Sequence, residues 1–185
     1  MRVLGAARVR SDGGIGGRPK IVIAPGDRIP EVALRRFGPY GVEEILTATL
    51  FAGRRAVLFG VPGAFTPVCS NEHLPGFVAR AEELAGRGVD RIACMAVNDP
   101  FVMEAWGRLH GAGERVLMLA DATGELTRAL GLELDLSEIG LGIRCRRFAA
   151  VLDDGVFRHV AIEPGRGITV CGAEHLLDRF DAAPF

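Results

Sequence analysis

Lysine is all but missing from this 185-residue chain: of its 22 basic residues, only Lys20 is a lysine. The bias is compositional and carries no binding signal. Set against 23 acidic residues the formal net charge is −1, so no overall basic field draws in nucleic acid and no acidic tail is present. No apolar run approaches the ~18 residues that would span a bilayer, which excludes a membrane-spanning helix. The four cysteines, Cys69, Cys94, Cys145 and Cys171, form no C-x-x-C pair, which speaks against a disulfide scaffold and against a zinc knuckle. No secretory signal precedes them, so the expected setting is a reducing, cytoplasmic one in which thiols stay free. There is no internal repeat, and the early "GGIGG" does not link a strand to a helix, so it is no dinucleotide loop.

What remains is a chain with 49% hydrophobic content, enough to bury one full-sized core. Residues 1–20, with four arginines, one lysine and a single acid, read as a disordered extension, a transit-like leader being the alternative. Residues 21–185 read as one domain. Apolar runs at 55–61, 90–97 and 115–121 have strand length. Helical spacing is expected over 70–88, with a kink near Pro75-Gly76, over 99–111, opened by Asp99 and Pro100, and over 123–132. That alternation implies crossover units and a largely parallel sheet. Asp154-Gly155 then joins two strand-like runs in 146–164 as a hairpin, and 172–180 closes the chain as a helix. The plan is α/β and thioredoxin-like, a central mixed sheet flanked by helices.

Cys69 stands out by its surroundings. In "FGVPGAFTPVCSNEH" it follows a strand and opens a helix, where unpaired N–H groups and the positive end of the helix dipole favour the thiolate, the nucleophilic form. Pro62 and Pro67 bracket the turn, and Thr66 can set a hydroxyl beside the sulfur. The competing reading, a small buried hydrophobe, suits Cys94 within its apolar strand better. Cys69 and His73, four apart, offer only two of the ligands that a zinc site needs. Trp106 reads as packing or a dimer contact.

"VPGAFTPVCSNEHLPGF" resembles the active-site segment of the peroxiredoxins, whose P-x-x-x-T-x-x-C motif is met by Pro62, Thr66 and Cys69. "VNDPFVMEAWG", "LGLELDL" and "GLGIRCRRFAAVLDDG" are similar, in the same order, to segments of the type II, peroxiredoxin-five-like subfamily. The resemblance spans roughly 22–182. It implies that Cys69 is the peroxidatic cysteine, attacking peroxide and becoming a sulfenic acid. Thr66 would bond peroxide and sulfur, and Pro62 would shield the sulfur. Arg144 would hold the thiolate and orient the peroxide, and Arg146 and Arg147, without a motif match, read as solvated neighbours.

The resemblance further implies a thiol-dependent peroxidase acting on hydrogen peroxide and alkyl hydroperoxides without metal, haem, flavin or other cofactor, and a homodimer. The resolving thiol stays open. Cys171, near the last helix, competes with Cys94, with Cys145, and with an external reductant such as glutathione, glutaredoxin or thioredoxin. A redox-sensing or relay module on the same fold is the alternative to a turning-over enzyme.

Overall fold

Residues 22–182 are described by the computed structural model; the expected extension over 1–20 falls outside them. Two short antiparallel strands come first, β1 (Ala33–Gly38) and β2 (Gly41–Leu46), followed by one helical turn, α1 (Thr47–Phe51). The crossover units are β3 (Arg55–Gly60), a helical stretch containing α2 (Leu74–Ala79) and α3 (Ala81–Gly86), β4 (Arg91–Ala96), α4 (Pro100–Leu109), β5 (Leu117–Ala120) and α5 (Glu125–Ala129). A separate ribbon, β6 (Glu133–Leu136) with β7 (Gly142–Cys145), leads to the hairpin β8 (Phe148–Asp153) and β9 (Val156–Ile162), and α6 (Ala173–Ala182) closes the chain.

Seven strands form one sheet in the order β2-β1-β5-β4-β3-β8-β9. β3, β4 and β5 are parallel, while β8 and β1 add to them antiparallel. The mixed sheet expected from the sequence is therefore present. Its central strands read as unbroken apolar runs because both faces are covered. Along β3, Val57 and Phe59 enter one core while Ala56 and Leu58 enter the other, the two-residue period of a strand. At the β8–β9 turn Asp154 (φ 49°) and Gly155 (φ 72°) both take the left-handed conformation, which a two-residue hairpin loop requires.

Three local features add detail to the expected plan. The helical stretch after β3 is continuous through Pro75-Gly76, with a widened turn at Cys69–His73 directly before Pro75, a proline and a widened turn being the usual seats of a helix bend, and the interruption falls at Arg80 (φ −101°, ψ 9°). Hairpin β1–β2 and ribbon β6–β7 are short: "ELDL" alternates apolar and polar residues over four positions only, and in "LRRFGPYGVEEI" the paired charges Arg35-Arg36 and Glu43-Glu44 interrupt the alternation.

Candidate active site

The site lies past the carboxyl end of β3, where ligands gather in open parallel sheets. β3 must end in glycine: a side chain on Gly60 would run into the Phe148 ring and approach the Cys145 sulfur. The chain then folds back on itself. Ala64 N–H donates to Asn98 Oδ1 (3.0 Å), the Thr66 hydroxyl donates to the Gly63 carbonyl (2.8 Å), and Phe65 is held at φ 62°, a conformation that is costly for a bulky residue. The Thr66 carbonyl accepts from Ser70 N–H (3.0 Å), so the helix opens here and Cys69 lies in its first turn.

From Cys69 to His73 the turn widens to a π-helix, with Leu74 N–H reaching back to the Cys69 carbonyl. Such single wide turns concentrate at functional sites. The buried Trp106 indole donates to Ser70 Oγ (3.0 Å), which ties this turn to α4. Trp106 is thus core packing.

Cys69 is wholly buried, and its sulfur receives a hydrogen bond from Arg147 Nη2 at 3.4 Å. The same guanidinium places Nη1 3.2 Å from His73 Nδ1. A guanidinium only donates, so Nδ1 accepts and the imidazole proton sits on Nε2. That proton goes to the Cys171 carbonyl at 2.9 Å, with the Cys171 sulfur alongside at 3.5 Å. Burial, opposed by the bond to Cys171 and reinforced by the Arg147 charge, lowers the His73 pKa to about 4, so the ring is neutral at physiological pH.

Beyond Cys171 lies Glu163, buried among partners. Its carboxylate accepts from the N–H groups of Thr169 (2.7 Å), Val170 (2.7 Å) and Cys171 (2.9 Å) and from the Thr169 hydroxyl (2.8 Å). Burial alone would raise its pKa; the hydrogen bonds, led by Val170 and Thr169, outweigh that and hold it at about 2. One continuous line therefore runs Glu163, Cys171, His73, Arg147, Cys69.

Among the residues expected at the site, Pro62, Thr66 and Cys69 come together in one loop. Arg144 does not reach the sulfur, and this corrects the expectation. Its Nε donates to the Leu141 carbonyl (2.7 Å) and its Nη1 to the Val97 carbonyl (2.9 Å), which brings Nη1 against the backbone of Gly63. Arg144 braces the wall of the loop, and Arg147, expected to be a solvated neighbour, is the arginine on the thiol. Strand parity carries the missed signal: Arg147 is in phase with Ala149 and Val151, which face the Cys69 side of the sheet, whereas Phe148 and Ala150 face the other.

The remaining thiols are all buried and free. Burial pushes Cys94 up well above the ordinary range and Cys145 up to about 12, and burial with the adjoining Glu163 carboxylate pushes Cys171 up as well. Cys145 also belongs to the core on the opposite face of the sheet from Cys69. A cleft of about 630 Å³ between α3 and the starts of β4 and β5 lies at the other end of the strands and holds none of the four cysteines.

The chain is similar to known proteins over most of its length. The family profile described as Redoxin matches residues 24–177. "Peroxiredoxin-2C" of Oryza sativa subsp. japonica is 50% identical over 156 residues, covering 84% of this chain and 96% of its own. "Peroxiredoxin-2E-2, chloroplastic" of the same species is 52% identical over 160 residues, covering 84% and 71%. Among solved structures, reduced Prx3 in complex with H2O2 from Vibrio vulnificus superposes with a TM-score of 0.82 at 43% identity, covering 85% of this chain and 99% of that one. Peroxiredoxin 5 from Alvinella pompejana gives a TM-score of 0.77 at 38% identity, covering 87% and 99%.

Proposed function

The chain belongs to the Redoxin family as a type II, peroxiredoxin-five-like peroxiredoxin, a thiol-dependent peroxidase, and from that premise we propose that Cys69 is its peroxidatic residue and Arg147 the arginine that serves it. The Arg147 bond to the Cys69 sulfur is the observation that carries the reading. A positive donor at the sulfur stabilises the thiolate and stays in place as charge passes to the peroxide.

The thiolate attacks the terminal oxygen of ROOH. The S–O bond forms as the O–O bond breaks, sulfur is oxidised by two electrons to the sulfenic acid, and the leaving RO⁻ takes a proton to become ROH, or water when R is hydrogen. Thr66 has already given its proton to Gly63, so toward a peroxide its hydroxyl acts as an acceptor and orients the O–H end. Arg147 Nε, buried and without a partner, is a donor available for a peroxide oxygen. Pro62 shields the sulfur from water. The substrates are hydrogen peroxide and alkyl hydroperoxides.

For the second half of the cycle we propose an external thiol, glutathione, glutaredoxin or thioredoxin, as the reductant. Cys171 is held protonated, its N–H bound by Glu163 and its carbonyl by His73, so it is a poor internal nucleophile. The external thiol condenses with the sulfenic acid, releasing water, and a second thiol cleaves the mixed disulfide. A homodimer is proposed too, supported by the large exposed side chains Phe65 and Phe101 on neighbouring loop and helix; sedimentation would test it. Among the described residues no helix is long and apolar enough to cross a membrane. The four free thiols suit a reducing, cytoplasmic setting.

The deciding experiment follows peroxide consumption with excess dithiothreitol. The wild type is expected to consume peroxide at least ~100-fold faster than Cys69→Ser, the scale of a catalytic nucleophile; equal rates overturn the reading.

A further inference from the structure

We infer that His73 is a positioning residue for the peroxidase reaction: it holds the Arg147 guanidinium on the Cys69 sulfur and ties that grip to the segment carrying Cys171. The inference rests on the peroxidase reading above and deepens it.

Arg147 brings a long, jointed side chain to a buried site, and among the described contacts its guanidinium has two anchors, the Cys69 sulfur and His73 Nδ1, with Nε unpartnered. The sulfur cannot serve as the fixed anchor. As the attacking thiolate it carries negative charge and as a sulfenic acid none, so its hold on a cation weakens within each cycle. His73 does not change in that way: its ring is neutral, with Nδ1 presented as an acceptor throughout.

The ring is itself held on all sides. It lies edge-on to Phe59 at 5.0 Å and against Phe77 at 5.5 Å, and those two rings stack at 4.1 Å. Its Nε2–H is committed to the Cys171 carbonyl, and Cys171 is held by Glu163. The ring thus has one orientation and one tautomer, and an arginine that accepts this anchor arrives at the sulfur already aimed. A histidine serving only as core filling would be replaceable by phenylalanine without loss of rate, because its aromatic neighbours would accept the new ring.

The test measures the second-order rate of peroxide reaction with reduced protein in a single turnover, on wild type, His73→Phe, His73→Gln, Arg147→Gln and the double variant His73→Phe/Arg147→Gln. The glutamine amide can accept from Arg147 and donate to the Cys171 carbonyl. We expect His73→Phe to slow the reaction by about tenfold or more, the size of one lost hydrogen bond to a charged group, and His73→Gln to restore most of that loss. With Arg147→Gln already in place, His73→Phe is expected to add less than about twofold, because the two act as one unit. Should His73→Phe fail to fold, His73→Leu takes its place in the same comparison.

Wild-type rates in His73→Phe, equal losses in the phenylalanine and glutamine variants, or losses that multiply in the double variant would each overturn the inference and leave the peroxidase reading standing. A wild type no faster than Cys69→Ser would overturn both.

Discussion

Arg147 Nη1 lies 3.2 Å from His73 Nδ1, and that one contact fixes the ring tautomer, the aim of the guanidinium and the direction of the hydrogen bond from His73 to the Cys171 carbonyl. It also separates two arginines that the sequence sets three residues apart.

Arg147 and Arg144 are therefore expected to respond differently to removal of charge. Arg147→Gln takes the donor from the reacting sulfur, and the rate of peroxide reaction should fall by roughly 10²–10³, as for other donors aimed at developing charge. Arg144→Gln removes a brace on the carbonyls of Leu141 and Val97 and should cost about tenfold or less. Stopped-flow kinetics on the two variants checks the assignment; a larger loss for Arg144→Gln would reverse it.

The protonation of His73 predicts acid sensitivity. An unfolded histidine binds its proton near 6.5, the folded one near about 4, so between these values the unfolded state holds more protons. Stability from this group is fully present above pH 6.5 and is lost as the pH falls toward 4. Between pH 7.5 and 5 the loss is about 2 kcal/mol. Urea unfolding of wild type against His73→Phe isolates it, since His159, whose pKa burial also lowers, is present in both. Glu163, held at about 2 against an ordinary 4.5, adds a second loss of the same sign at lower pH.

The Glu163 clasp predicts a change in the fate of the sulfenic acid. Glu163→Gln keeps the shape but removes the charge that gathers three N–H groups and the Thr169 hydroxyl, and should free the 169–171 segment. In wild type, one equivalent of peroxide followed by glutathione should leave a glutathione adduct on Cys69 by intact mass. An internal disulfide, seen as the loss of two hydrogens and abolished by Cys171→Ser, should appear only in Glu163→Gln. Its quantitative formation in wild type would show that Cys171 resolves.

Gly60→Ala should be among the most damaging small substitutions in the chain. The added methyl group meets the Phe148 ring in a fully packed core, an overpacking cost of about 1–3 kcal/mol. A melting temperature unchanged from wild type would contradict this.

Much of this protein was legible in its sequence because the signals were local. The runs around β3 and β4, the Asp99-Pro100 helix start and the Asp154-Gly155 turn each depend on neighbours within a few residues, and each appears where expected, with the Asp99 carboxylate accepting from the N–H groups of Phe101 and Val102. The loop of Pro62, Thr66 and Cys69 was legible for the same reason. The partner of Cys69 was not, because it arrives from 78 residues away along the chain and "RCRR" presents three arginines with no local ground for choosing among them. Choosing needs the phase of β8, which only the packed sheet supplies. His73, with Cys69 at four-residue spacing, offered too few ligands for a metal and no other local role; its partners, Arg147 and the Cys171 carbonyl, are 74 and 98 residues distant.

The central claim, that the thiol in the grip of Arg147 is the one that meets peroxide, is tested most directly by treating the reduced protein with one equivalent of hydrogen peroxide, trapping the sulfenic acid with dimedone and mapping the adduct by peptide mass spectrometry. The account predicts the adduct on Cys69, with Cys94, Cys145 and Cys171 unmodified and the yield sharply reduced in Arg147→Gln. An adduct on any other cysteine, or undiminished labelling of Cys69 in Arg147→Gln at matched short times, would contradict it.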